Sequence, residues 1–207
     1  MAAKGYTNKT NIENYIYQEI DDTYNTQIDA WIAAVERIID SITGRNFKAD
    51  ETATARLYDG DETNELIIDE CIQVTVVEVG TDSIGSTFTT IPSTGSGRYF
   101  TYPANALAKG VAINQIALSD RCFPGGMQNN RITAKWGYSA TPPEDITFVA
   151  TVFVAGIINQ ERQGGSEIKS ETIGNYSVSY NSDKGDNSWA DFARAKEILA
   201  QLTLLRI

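Results

Sequence analysis

Between residues 26 and 43 the apolar side chains Ile28, Trp31, Ile32, Val35, Ile38, Ile39 and Ile42 recur at steps of three and four, with Asp29, Glu36, Arg37 and Asp40 largely between them. This spacing predicts an amphipathic helix, N-capped by Thr26 and stopped at Gly44, where a left-handed C-cap suits a glycine. Upstream, Thr10-Asn11-Ile12-Glu13 has the form of a capping box and predicts a short helix with Ile12, Tyr15, Ile16 and Ile20 on one face.

After Phe47 the period changes. Short β-rich segments are predicted around residues 56–58, 65–68, 73–79, 87–91 and 98–102, separated by turn residues. Residues 111–118 and 131–138 flank Phe123-Pro124-Gly125-Gly126 and read as a long-looped hairpin in which Ile132, Ala134 and Trp136 share a face. Six or seven strands are therefore expected.

At Thr141-Pro142-Pro143-Glu144-Asp145 the pattern turns helical again, because a proline pair cannot continue a central strand and acids suit a first helical turn. Residues 146–158 are apolar nearly all round, which predicts a helix covered on most sides by its own fold or by a neighbouring subunit; a buried strand pair is the competing reading. Gln163-Gly164-Gly165-Ser166 reads as a joint. Residues 168–180 then alternate around Gly174-Asn175 as a two-stranded arm, too small to be stable alone. A last helix over 188–204 carries Trp189, Phe192, Ala193, Leu199 and Leu202 on one stripe. The fold class is α+β: a small helical bundle (1–47 and 141–207, with an extended arm at 164–182) interrupted by an inserted antiparallel β-rich domain at 48–140.

Composition narrows what such a fold does. The chain has 207 residues, and its 42% hydrophobic and 21% charged content is that of a globular protein, with no run of the ~20 apolar residues a membrane span needs. No membrane partner is expected. The start, Met-Ala-Ala-Lys-Gly-Tyr-Thr, lacks the apolar core and cleavage site of a signal peptide and predicts synthesis in a cytoplasm. Histidine is absent, which removes Ser/His/Asp and Cys/His catalysis and every histidine-bearing zinc site. Cys71 and Cys122 lack CxxC spacing and read as small buried apolar residues. A net charge of −10 lacks the basic footprint of a nucleic-acid binder, but an acidic wall keeps a passing polyanion from sticking.

Candidate chemistry is thin. Asp59, Asp61 and Glu70 hold the first, third and twelfth places of a calcium loop, but Asn64 stands where the sixth place needs glycine. Asp59-Gly60 is read instead as a hairpin turn between 57–58 and 66–68. From residue 50 to 82 acids outnumber bases ten to one, Arg56 being the one cation. That stretch reads as a solvated acidic face. The rival from another class is a carbohydrate-binding or carbohydrate-processing protein, which would use these carboxylates with Tyr99, Phe100 and Tyr102. The glycine-rich stretches at 93–97 and 164–165 lack the lysine of a phosphate loop and read as connectors. Trp31, Trp136 and Trp189 read as core anchors. No catalytic residue, metal ligand or cofactor site is assigned.

Several phrases in order resemble the head–tail adaptor (connector) family of long-tailed bacteriophages. They are the early helix ending in Thr43-Gly44-Arg45-Asn46-Phe47; Arg56-Leu57-Tyr58-Asp59-Gly60; Ile132-Thr133-Ala134-Lys135-Trp136-Gly137-Tyr138 running into Pro142-Pro143-Glu144-Asp145-Ile146; and Lys169-Ser170-Glu171-Thr172-Ile173-Gly174-Asn175-Tyr176-Ser177-Val178-Ser179-Tyr180 after a long apolar helix. The resemblance implies a structural, non-enzymatic virion protein of the neck, a head-completion protein assembling as a dodecameric ring under the portal. Double-stranded DNA would pass through its lumen without tight binding. Portal and tail terminator, stopper or other neck proteins are the implied partners; a tail-completion or stopper protein is the nearer alternative. The simplest family members are nearly all helical and about half as long, so the β-rich segment is this chain's addition. Ile168, Ile173, Tyr176, Val178 and Tyr180 of the arm are the candidate subunit contacts. Trp189, Phe192, Leu199 and Leu202 of the last helix are the candidate portal contacts.

Overall fold

The computed structural model describes residues 3–81, 87–162, 169–173, 176–180 and 188–203. It divides into two compact units, Met1–Phe47 with Pro142–Ile207, and Lys48–Thr141. The architecture is α+β, with helices in the first unit and a six-stranded antiparallel sheet in the second.

In the helical unit α3 (Glu144–Arg162) is the hub, with α1 (Lys9–Ile16), α2 (Asn25–Thr43) and α4 (Ser188–Leu202) packed against it. Residues 149–156 are all buried, so the apolar-all-round sequence is covered by the subunit's own elements and the strand alternative fails. No described helix is long and apolar enough to cross a membrane. In α2 only Ile28, Ile32, Val35 and Ile39 of the seven apolar positions are fully buried. At ~1.5–3 kcal/mol each, their burial contributes a gross gain of roughly 6–12 kcal/mol before ordering entropy.

The helix ends differ from the sequence expectation. Gly44 does close α2 in the left-handed region (φ 69°), its N–H donating to Asp40 O at 2.8 Å. Thr26 is not the N-cap: a 3₁₀ turn, Asp22–Tyr24, runs directly into α2, and the Asp21 carboxylate caps that turn through the Thr23 N–H. Nor is Thr10 the cap of α1. Asn8 takes that role, its side chain accepting the Asn11 N–H at 2.9 Å, and Glu13 accepts the Ile20 N–H beyond the helix instead of closing a capping box. Both misses have one cause: several Thr, Asn and Asp candidates compete within a turn, and the incoming chain direction selects among them.

Glu36 departs furthest from its expected place on the polar face. It is 1% exposed, and its carboxylate accepts the backbone N–H groups of Lys4, Gly5 and Tyr6, tying the N-terminal segment to α2. The Tyr6 hydroxyl donates to Asp40 at 2.6 Å and accepts the Phe47 N–H at 2.9 Å, so one buried ring joins three segments. Burial, with Asp40 adding to it, pushes the Tyr6 hydroxyl pKa far up, so it stays a donor.

In the sheet unit β1 (Thr54–Gly60), β2 (Glu65–Gly80), β3 (Phe88–Ile91), β4 (Tyr99–Tyr102), β5 (Ile113–Leu118) and β6 (Gly126–Trp136) lie in the order β1-β6-β2-β5-β4, with β3 also on β2. Two expected hairpins are corrected. The Asp59-Gly60 corner does not join paired strands, because β6 lies between β1 and β2 and pairs with both. Residues 111–118 and 131–138 are likewise not partners: β5 pairs with β2 and β4.

The two segments expected at 65–68 and 73–79 are one strand. Its buried apolar side chains are Leu66 and Ile68, then Cys71 and Val77, and this change of phase coincides with register shifts at 67–71, 71–73 and 74–76. Each irregularity turns the apolar set toward the same core. That core gathers around Trp136, with Ile132 and Ala134 on the same face of β6, as their alternation predicts.

Candidate interaction surfaces

The described residues offer surfaces rather than a reaction centre. The arm is present as β7 (Lys169–Ile173) and β8 (Tyr176–Tyr180), an isolated antiparallel pair in which Ile173 faces Tyr176, Glu171 faces Val178 and Lys169 faces Tyr180. The apolar candidates Ile173, Tyr176, Val178 and Tyr180 thus hold one set of alternate register positions, and Ser170, Thr172, Ser177 and Ser179 the other. β8 runs close to α3. Ile168 lies outside the described residues.

On α4, Phe192 and Leu199 are buried, with Ala195 between them at helical spacing. Phe192 packs against Phe153 at 5.1 Å between ring centroids, so these two candidate contacts are consumed by the bundle itself. Leu202 is half-buried at the helix end, and the Trp189 side chain lies outside the described residues. Any surface α4 offers comes from positions other than Phe192 and Leu199.

In the sheet unit the acidic stretch is largely engaged internally. Asp69 accepts from Arg56 at 2.7 Å and from the Tyr58 hydroxyl at 2.9 Å. Glu78 takes both arms of Arg131 at 2.7 and 2.8 Å, which holds its carboxyl below the usual glutamate range. Of the calcium-loop acids, Asp59 accepts the Gln128 N–H, and Asp61 accepts the Thr63 N–H and hydroxyl, which lowers its pKa. Among the described residues no three His, Cys, Asp or Glu side chains converge as metal ligands.

The aromatics of β4 divide by parity. Tyr99 packs on the core, while Phe100 and Tyr102 are exposed, with the Arg98 guanidinium 4.5 Å above the Phe100 ring. Cys71 is buried and its thiol is pushed up to about 12 by desolvation. Cys122 is exposed, against expectation, because its neighbour Phe123 takes the buried place in that loop, its N–H donating to Thr63 O at 2.7 Å. Trp136 is the expected core anchor, but Trp31 is only half-buried and lines a surface groove.

No family model matches the sequence, and a search of curated proteins returns no match. The fold does have solved counterparts. Over the whole of this chain and 94% of the other, it is similar to a subunit in the neck of an empty gene transfer agent (GTA) particle computed with C6 symmetry, with a TM-score of 0.57 and 10% sequence identity. A subunit in the neck of a native GTA particle computed with C12 symmetry aligns over the same shares of the chains at a TM-score of 0.49 and 13% identity. At such identities the likeness is one of fold. It spans the helices and the sheet together, so the β-rich segment is common to both chains.

Proposed function

We propose that this chain is a structural subunit of a phage-type neck, a head–tail adaptor that completes the head and forms a ring joining portal to tail while continuing the DNA channel. One observation carries the proposal: the likeness to a neck subunit runs end to end, including the sheet unit, where no short shared motif accounts for it. The adaptor-like phrases along the sequence support the same reading independently. A ring of twelve subunits contains a sixfold axis and is compatible with the C6 symmetry of that neck.

In this reading the β7–β8 arm makes the contact between neighbouring subunits, because pairing across a ring satisfies backbone groups that an isolated two-stranded ribbon leaves open. The net charge of −10 suits a wall past which double-stranded DNA slides without being gripped.

Size-exclusion chromatography with light scattering, on the chain alone and mixed with portal, tests the assignment. The expected species is a twelve-subunit ring that co-elutes with portal. A six-subunit ring that ignores portal would move the assignment to a stopper or tail-completion protein, and a strict monomer in every condition would end it. Removing residues 168–180 should weaken assembly and leave the helical circular dichroism in place; collapse of the fold would show that the arm belongs to the core.

A further inference from the structure

The helical unit carries a groove of about 460 Å³, within the ~300–1,000 Å³ range of ligand clefts. Its apolar lining is Ile20, Ile28 and Ile158 with the half-buried ring of Trp31. Around these sit three carboxylates, Glu19, Asp21 and Glu161, against one guanidinium, Arg162, which already donates to Gln18 at 2.7 Å. Glu19 and Glu161 are exposed and in no ion pair among the described residues. The last turn of α3 brings the negative end of its dipole to the groove, and the first turn of α2 brings a positive end; the two offset, and the side chains set the potential.

Exposed aromatics stand at this site. Tyr24, 54% exposed, lines the groove, and Tyr17, 95% exposed, precedes the Gln18-Glu19 pair in a left-handed turn (φ 54°). Large rings left in water beside an apolar cleft are typical of protein contact surfaces, where tyrosine, tryptophan and arginine supply most hot spots.

We propose that this groove is the seat of a basic anchor residue, an arginine or lysine presented by a different protein that binds this chain. The aliphatic stem lies along Ile20, Ile28 and Ile158, with the cation near the Trp31 face and the rim carboxylates. Charge selects this occupant. A second copy brings another net charge of −10, and many of its described cations are committed: Lys4, Lys9, Arg56 and Arg131 in ion pairs, Arg98 and Arg194 over aromatic rings. A basic partner gains where a like copy is repelled.

The site stands apart from the ring proposal, because peptide binding is read on the chain in whatever oligomeric state it adopts. The probe is a fluorescein-labelled nine-residue peptide with a central arginine flanked by leucines, titrated by anisotropy into the full chain beside its glutamine counterpart. The arginine peptide is expected to bind at least about tenfold tighter, and to lose most of that advantage when salt is raised from about 0.05 M to about 0.5 M. The double variant Glu19→Gln/Glu161→Gln changes exposed side chains only, and is expected to weaken the arginine peptide about tenfold while leaving the glutamine peptide unchanged. Gln27→Lys, placing a cation on the exposed rim, should abolish the preference. Equal binding of the two peptides, an unaffected double variant, or no binding at millimolar peptide overturns the proposal. So does a Gln27→Lys chain that keeps its peptide preference but loses self-association, since the groove would then hold a second copy.

Discussion

In the helical unit α1, α2 and α4 all pack on α3, and each helix closes its interior backbone hydrogen bonds within itself, leaving only its ends to caps such as Asn8. In the sheet unit β1 and β2 follow one another in sequence yet never pair; β6, more than fifty residues later, enters between them, with Thr54 opposite Ala134 and Val77 opposite Ile132. The difference lies in where hydrogen bonds close. A helix closes them four residues away and can be read from a window of sequence. A strand closes them on a partner that the sequence does not name. The helical unit is therefore sensitive mainly to what its helices bury, and the sheet unit to whether distant segments can approach.

The largest expected effects compare the two cores directly. Trp136→Ala removes a 1% exposed indole whose N–H donates to Thr54 O at 2.8 Å and whose ring lies under Arg56, and should cost about 3–5 kcal/mol. Phe153→Ala in the bundle should cost a similar amount by opening a cavity against Phe192. Denaturant midpoints check both; a Trp136→Ala chain as stable as the wild type would mean the sheet core does not rest on that ring.

Close approach comes next. A Cβ at Gly60 would lie 1.9 Å from Pro124 O, backbone that cannot swing aside, so Gly60→Ala should cost about 1–3 kcal/mol in thermal unfolding. The same change at Gly95, whose surroundings are open although φ is +82°, should cost less, only the left-handed backbone term of about 1 kcal/mol. Equal penalties at the two sites would remove the contrast between closure and local conformation.

Within the helical unit, Glu36→Gln leaves one amide oxygen where a carboxylate receives three N–H groups, and should cost about 2 kcal/mol and raise hydrogen exchange at residues 4–6. Unchanged exchange there would show that the N-terminal segment is held without Glu36.

The smallest effect is a pH dependence. Arg131 lowers the Glu78 pKa in the folded chain, so the pair's stabilisation is complete above the ordinary glutamate value of about 4.3 and fades as pH falls through the depressed folded value. The gap between wild type and Glu78→Gln should be constant from pH 7 to pH 5 and close in acid. A gap that closes instead as pH rises above 7 would contradict the pairing.

The candidate contact residues were legible only in part. Alternation in residues 168–180 gave the arm, and its register places Ile173, Tyr176, Val178 and Tyr180 on alternate positions. On α4 the same apolar stripe that marks a surface candidate marks a core residue, and Phe192 and Leu199 are core. The groove at Trp31 had no sequence signal, because Trp31 shares its helical face with Ile28 and Ile32, and only the path of the chain from Glu19 to Tyr24 leaves it half open. Cys122 in water and Glu36 in the core depart from the local pattern for the same kind of reason: burial of a single side chain depends on neighbours far away in sequence.

Hydrophobic period and the local stop signals determined the kinds of element and several landmarks: α2 ending at Gly44, the switch to strands after Phe47, α3 opening at Glu144 behind its prolines, the two-stranded arm and the final helix. These follow from bonds and contacts within a few residues, which local sequence encodes. Only the tertiary structure decided that 65–80 is one strand that changes phase, that β6 parts β1 from β2, that Glu36 turns inward to hold the N-terminal segment, and which aromatics face water. Each of those outcomes depends on a partner thirty or more residues away, and such pairings are set by the packing of the whole unit rather than by any one segment.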